Sequence, residues 1–173
     1  MIWLRELLYS WFSKETELKE LAPEPAFLFK KPQRKVTRVF LHCSASDNPA
    51  HDNIATIKRW HTDPKPNGRG WTDVGYHYFI NKGGGIEHGR PLSRIPAAQA
   101  RHNTGTIAIC LSGLEQFTEA QFISLRNLCR AILKDLPDVT FHGHCEVSAK
   151  ACPVFDYKKV LNLNSRGRIK PNP

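Results

Sequence analysis

The sequence predicts a single α/β domain, in which helices flank a central mixed β-sheet, preceded by an N-terminal amphipathic helix. Three observations predict this fold class. Short runs of β-branched and apolar residues alternate with segments of helical periodicity, one pair of such runs is separated by a Gly-Gly-Gly turn, and 40% of the 173 residues are hydrophobic. Alternating strands and helices are typical of α/β folds, and this chain length suits one domain with a modest extension.

We expect the first 35 residues to lie outside the compact domain. Residues 2–21 place apolar side chains at helical spacing, which predicts an amphipathic helix. Alternatively, the helix breaks at Ser13, which is a candidate N-cap for a second helix. Residues 22–35 contain three prolines and a basic cluster, a composition that is typical of a linker.

The predicted N-terminal helix has three candidate contacts: the chain's own core, a second copy of the chain, and a membrane surface. Interfacial helices usually carry Lys and Arg on their polar face. Here four glutamates offset three basic residues between positions 2 and 21. Packing against protein is therefore favoured over binding to a membrane.

The compact domain is predicted over residues 36–163, and residues 164–173 are expected to form a frayed polar tail. The first strand is VTRVFLH, followed by a short helix, NIATIKRWH, with Asn53 as its N-cap. A hairpin is formed by GYHYFIN and GIEHG around the glycine turn, and the next buried strand is TIAICLSG. The clearest helix is FTEAQFISLRNLCRAILKDL, capped by Thr118 with Gln121 three positions on. The last strand is VTFHGH, and the closing helix is FDYKKVLNL.

Composition restricts the classes of function. The net charge of +9 suits a polyanionic partner such as nucleic acid, an anionic envelope polymer or acidic lipid. Specific nucleic-acid binding is not expected, because no helix-turn-helix or aromatic RNA-binding signature is present. The five irregularly spaced cysteines argue against a disulfide framework and favour a reducing cytosol. The sequence has no run of about 18 apolar residues and no convincing signal peptide.

The segment HGHCEVSAKACP, residues 142–153, concentrates His and Cys, the usual ligands of zinc. Alternate residues of a strand share a face, so His142 and His144 lie on one face and Cys145 on the other. Binding sites in open α/β sheets lie beyond the carboxyl ends of the strands. Both His42 and His144 end apolar strands, which is where such a site would be built.

The loop after His144 is long enough to bring Cys152 back beside it. Together with His42, these residues would make three protein ligands with a fourth position open to water. That arrangement is typical of catalytic zinc, whereas structural zinc usually has four protein ligands. On the residues alone, His142 remains an alternative ligand or a supporting neighbour.

Several motifs, agreeing in order and spacing, resemble the zinc-dependent N-acetylmuramoyl-L-alanine amidases. The resemblance is closest to the phage lysozymes of that family and more distant to the peptidoglycan recognition proteins. The motifs, which cover about residues 36–163, are VFLHCSAS, WTDVGYHYFINKGGGIEHGR, HNTGTIAICLSG, FTEAQFISL and HCEVSAKACPVFD. The resemblance implies one Zn²⁺ per chain, with His42, His144 and Cys152 as its ligands.

The resemblance also implies an activity, hydrolysis by zinc-activated water of the amide between N-acetylmuramic acid and L-alanine in bacterial peptidoglycan. The implied catalytic pair is Tyr76, which would orient the water or assist proton transfer, and Lys150, which would stabilise the oxyanion. A phage or prophage endolysin is expected, made in the host cytoplasm without a signal peptide and acting on the cell wall. The alternatives are a non-catalytic peptidoglycan-binding module and an amidase that also regulates a partner such as RNA polymerase.

The long loop PLSRIPAAQARHNTG is expected to contribute to the site, since long ordered loops are often functional. His102, Asn103 and Thr104 are candidates for substrate contact. Ala98 stands where phage relatives often carry a histidine, so any contact that this histidine makes is absent here. His77, next to Tyr76, should point to the opposite face and have a structural role.

Overall fold

The computed structural model describes residues 29–171 of the chain. A five-stranded sheet lies at its centre, with the strand order β3-β2-β4-β1-β5. The strands are β1 (Arg38–Cys43), β2 (Tyr78–Ile80), β3 (Ile86–His88), β4 (Thr106–Leu111) and β5 (Thr140–Gly143). The helices are α1 (Ile54–Thr62), α2 (Glu119–Asp135) and α3 (Tyr157–Val160).

The sheet is mixed, as predicted. Parallel pairs join β2 to β4, β4 to β1 and β1 to β5, whereas β3 runs antiparallel to β2 in the predicted hairpin. Since β1 lies between β4 and β5, its carboxyl end has neighbours on both sides. The predicted α/β fold class is therefore confirmed.

The two longer helices begin at the predicted caps. The Asn53 side chain accepts a hydrogen bond from the Thr56 amide at 2.8 Å, and Thr118 forms a reciprocal capping box with Gln121. Such caps satisfy amide groups that have no partner within the helix. The closing helix α3 is only four residues long, shorter than the nine-residue segment predicted to form it.

The sheet separates two cores of different size. The larger lies beneath α2, where alternate strand residues such as Val39, Leu41 and Ile109 pack against Leu125 and Leu128. The smaller lies on the α1 side and consists of four buried residues, Ile57, Val74, Phe79 and Cys110. His42 follows Leu41 and so faces the side of the smaller core.

Residues 29–35, expected to form a linker, are attached to the domain. Phe29 is buried in the larger core. The Arg34 guanidinium donates from Nε to the Leu92 carbonyl at 2.6 Å and from Nη2 to the Thr106 carbonyl at 2.8 Å. The compact domain therefore begins before residue 36. The predicted helix over residues 2–21 lies outside the described residues.

The expectation of a frayed tail is wrong for residues 164–170. The Gly167 carbonyl accepts a hydrogen bond from the Phe141 amide at 2.7 Å, and Leu163 pairs with Ile169. This turn covers the outer edge of β5, which would otherwise present unpaired backbone groups. Within residues 29–171, no helix combines the length and apolar character that crossing a membrane requires.

Candidate functional site

The structure brings the three predicted ligands together at the carboxyl ends of β1 and β5. Leu41 is paired with Gly143, so the next residues, His42 and His144, lie side by side with ring centroids 4.7 Å apart. One ligand atom from each of His42, His144 and Cys152 lies within 4.8 Å of the other two. The proximity of β1 and β5 thus joins residues about a hundred positions apart.

The spacing of these atoms fits a tetrahedral zinc ion. The Sγ atom of Cys152 lies 3.8 Å from Nδ1 of His42. Usual zinc–nitrogen and zinc–sulfur bond lengths in a tetrahedral site place two such atoms about 3.6 Å apart. Two imidazoles and one thiolate form a donor set that suits zinc, with one position left for water.

Local geometry holds the loop that carries Cys152. A Cβ atom on Gly143 would lie 2.6 Å from the Tyr157 ring, so this strand end needs glycine for α3 to pack against it. The Cys145 amide donates to the Cys152 carbonyl at 2.6 Å, and the Cys43 amide donates to the Cys152 sulfur at 3.3 Å. The sulfur therefore faces the two histidines. The Cys43 amide favours its thiolate form, whereas the neighbouring Cys43 thiol and burial raise the pKa of Cys152 in the metal-free site.

Both predicted histidine ligands have lowered pKa values, which favour the neutral imidazole. Burial and the neighbouring His144 lower the pKa of His42 to about 3. Burial, with the charge of Lys150, also lowers the pKa of His144. Because a metal binds the neutral imidazole, protons do not compete for these nitrogens near neutral pH.

The predicted catalytic pair lines the same cleft as the ligands. Tyr76 lies just before β2, and its ring centroid is 5.2 Å from that of His42. Burial raises the pKa of Tyr76, which keeps its hydroxyl protonated and able to donate. Lys150 is exposed on the loop before Cys152 and also lines the cleft.

The cleft has a volume of about 560 Å³ and an amphipathic lining. Its wall includes the aromatic rings of Trp60 and Trp71, with the Arg69 guanidinium 5.1 Å from the Trp71 ring centroid. A second cavity, of about 520 Å³, lies beside His142 and residues 163–167 and contains none of the three predicted ligands. The cleft with the predicted ligands is therefore the candidate site.

Comparison with known proteins agrees with this geometry. The family described as N-acetylmuramoyl-L-alanine amidase (Amidase_2) matches residues 32–155. The chain belongs to this amidase family. The endolysin of Escherichia phage T7 is 33% identical over 142 residues, which cover 78% of this chain and 91% of that protein.

Solved structures show the same fold. The Ph2119 endolysin from the Thermus scotoductus bacteriophage Ph2119 has a TM-score of 0.65 at 22% identity, covering 81% of this amidase and 92% of that chain. Drosophila peptidoglycan recognition protein SD has a TM-score of 0.59 at 21% identity, covering 72% of this amidase and 80% of that chain. The predicted resemblance is confirmed, and so is the prediction of a phage peptidoglycan amidase. The non-catalytic alternative is not favoured.

Only one of the three predicted substrate-contact residues lines the cleft of the amidase. Asn103 does so, although its Oδ1 atom already accepts hydrogen bonds from the amides of Ala98 and Gln99, at 3.1 and 3.0 Å. His102 and Thr104 are not part of the described lining. Ala98 lines the cleft, so this departure from the predicted resemblance lies at the site.

His142 and His77 have structural partners. The ring nitrogens of His142 lie 2.7 Å from the Thr140 hydroxyl and 2.7 Å from the Glu146 carboxylate. Neither nitrogen is left free for a metal, so His142 is a neighbour of the predicted ligands. His77 accepts from the Ala108 amide through Nδ1 at 3.0 Å and contacts the Arg94 carbonyl through Nε2 at 3.0 Å.

Sequence reasoning missed two residues that contact the predicted ligands. Strand alternation directs Cys43 away from the ligand face, yet its sulfur lies 3.9 Å from that of Cys152 at the end of β1. Gln99 lies in the irregular loop before β4, and its Oε1 atom is 3.1 Å from Nε2 of His42. Such a loop has no periodicity from which the direction of a side chain could be predicted.

Proposed function

We propose that this amidase holds a single Zn²⁺ through His42, His144 and Cys152 and hydrolyses the amide between N-acetylmuramic acid and L-alanine. The observation that carries the proposal is the convergence of three ligand atoms within 4.8 Å of one another in the wall of an open cleft. Zinc in a three-ligand site supplies Lewis-acid chemistry and lowers the pKa of water to about 7. Phage endolysins act on the cell wall, and this is where we expect the reaction.

Tyr76 would orient the attacking water and assist proton transfer. Its ring lies against His42, and its raised pKa keeps the phenol protonated. A protonated hydroxyl donates to an oxygen atom of the substrate or accepts from the water without carrying charge. This is the role expected of a neutral group beside a metal.

Lys150 would stabilise the oxyanion of the tetrahedral intermediate. Its charge is close enough to lower the pKa of His144. Negative charge that develops on an oxygen beside His144 would therefore be stabilised by the ammonium group. A positioned cation is most effective where negative charge appears only in the transition state. Arg69 adds a second positive charge to the cleft, which suits an anionic envelope polymer.

Dye release from purified cell walls, with and without a chelator, tests this proposal. We expect hydrolysis by the untreated protein, its loss after chelation and its recovery when zinc is returned. Mass analysis of the soluble products should then show peptides with a free L-alanine amino end. Hydrolysis that continues after complete removal of metal would contradict the zinc assignment, and products cut at another bond would contradict the proposed specificity.

A further inference from the structure

Gln99 is a buried polar residue of the loop that joins β3 to β4, and its side chain is 0% exposed. Its Oε1 atom lies 3.1 Å from Nε2 of His42. Its amide nitrogen donates to the Thr106 hydroxyl at 2.7 Å. The Thr106 hydroxyl in turn donates to the Asn103 carbonyl at 2.7 Å.

This hydrogen-bond chain determines which end of the Gln99 amide faces His42. The Asn103 carbonyl can only accept, so it takes the single proton of the Thr106 hydroxyl. The hydroxyl must then accept from Gln99, which requires the NH₂ group on that side. The Gln99 oxygen therefore faces His42. Hydrogen bonding makes this assignment, which matters because the oxygen and nitrogen of a side-chain amide look alike.

An amide oxygen can only accept, so the proton of the neutral His42 ring must be on Nε2. The other nitrogen, Nδ1, then has a free lone pair, and it is the atom that lies 3.8 Å from the Cys152 sulfur. Ligand histidines commonly donate their second ring N–H to a neighbouring acceptor, which sets the tautomer and the ring orientation.

We propose that Gln99 is the positioning residue that holds His42 in its metal-binding tautomer, an inference that rests on the proposed function. A neutral amide suits this role because it adds no negative charge, so two imidazoles and one thiolate would leave the zinc about one positive charge. A carboxylate in the same place would weaken that charge.

Asn103 supports the same arrangement with two of its oxygen atoms. Its side-chain Oδ1 atom accepts from the backbone N–H of Gln99, and its backbone carbonyl accepts from the Thr106 hydroxyl. Asn103 and Thr106 therefore position Gln99, and Gln99 in turn positions His42. This assigns Asn103 to the support of the ligand in addition to its place in the cleft wall.

The first experiment measures zinc affinity by competition with a chelator at neutral pH, for wild type, Gln99→Met and Gln99→Glu. Methionine has a similar length but no strong acceptor, and we expect it to weaken zinc binding by about 10- to 100-fold. Glutamate keeps an acceptor oxygen and should bind zinc at least as tightly as wild type. Thermal unfolding of the metal-free proteins checks that each variant is folded.

Equal zinc affinity of wild type and a folded Gln99→Met protein would overturn the role of Gln99 and leave the proposed function intact. A wild-type protein that binds no zinc would instead overturn the proposed function, and this inference with it. Two matched substitutions at Thr106, the next residue in the hydrogen-bond chain, sharpen the result. Thr106→Ser keeps the hydroxyl and should retain affinity, whereas Thr106→Val removes it and should lose part of the affinity.

A second experiment needs no variant. Nitrogen-15 NMR of the metal-free wild-type protein, labelled at histidine, reports which ring nitrogen of His42 carries the proton. A proton on Nε2 is expected, because the Gln99 oxygen faces that atom. A proton on Nδ1 would overturn the proposal even if every variant failed to fold.

Discussion

The two faces of strand β1 lie in different environments. Val39 and Leu41 are buried in the large core beneath α2, a helix of 17 residues. His42 faces the other side, where α1 has nine residues and, within residues 29–171, four buried residues form the core. We call the α1 side the thin face and the α2 side the thick face. The thin face leaves room for a cleft of about 560 Å³, so one strand contributes to stability on one side and to the site on the other.

This contrast implies that substitutions on the two faces have separable effects. On the thin face they should change metal binding or turnover with little change in the free energy of unfolding. On the thick face they should lower that free energy while the folded fraction keeps its activity. Four predictions test this separation, in order of expected effect.

The largest effect is expected for Cys152→Ala, which removes a proposed ligand. Wall hydrolysis should fall to the level of chelator-treated wild type, and bound zinc should be lost, since even the removal of an outer partner of a ligand costs about 10- to 100-fold. Metal analysis and dye release measure both. Cys145→Ala, at an exposed cysteine of the same loop, is the control and should keep zinc and activity. Full zinc content in Cys152→Ala would reject this ligand.

Lys150→Ala should lower turnover by about 100-fold, because removal of one oxyanion-stabilising group typically costs about 10²- to 10³-fold. Zinc content and unfolding temperature should stay as in wild type, since the side chain is exposed. Lys158→Ala, which removes an exposed lysine outside the cleft, is the matched control. Equal turnover in the two variants would show that Lys150 is an ordinary surface residue.

Leu128→Ala tests the thick face. This fully buried side chain lies in the larger core, and its truncation should lower the free energy of unfolding by about 3 kcal/mol through lost burial and a new cavity. Denaturant unfolding measures the change. Turnover per folded molecule should not change, and a large fall in turnover would show that the two faces are coupled.

Acid should destabilise the protein through His77. Burial lowers its pKa to about 4, below the unfolded value of about 6.5, so the unfolded chain binds more protons between these values. The contribution of His77 to the free energy of unfolding is complete above about pH 6.5. It falls as the pH is lowered, by about 2 kcal/mol at pH 5. His77→Gln should reduce this slope, measured by unfolding across pH, and leave the share that comes from the lowered pKa values of His42 and His61.

Local sequence was enough to predict the features that local interactions determine. The capping box of Thr118 and Gln121, the Asn53 cap and the hairpin were predictable, because each depends on neighbours within a few residues. The convergence of His42 and His144 was also within reach, since both end apolar strands and such strand ends meet at one edge of a sheet.

Features set by contacts between distant segments could not be predicted in this way. Phe29 and Arg34 lie in a stretch whose prolines and charges are typical of a linker, yet they pack against the domain. Gly167 belongs to a polar tail, yet it covers the edge of β5. Gln99 reaches His42 from an irregular loop. In each case the deciding partner lies far away in the chain.

The attachment of Arg34 has a practical consequence for engineering. The guanidinium bonds to Thr106, which begins β4 and pairs with Arg38 at the start of β1, whereas the cleft lies where β1 ends. The hydroxyl of the same Thr106 nevertheless bonds to Gln99, which contacts His42. The segment that carries Arg34 is therefore attached to a residue that supports the site. A shortened version of the enzyme should keep this segment, because removal of Arg34 would take a donor away from the Thr106 carbonyl.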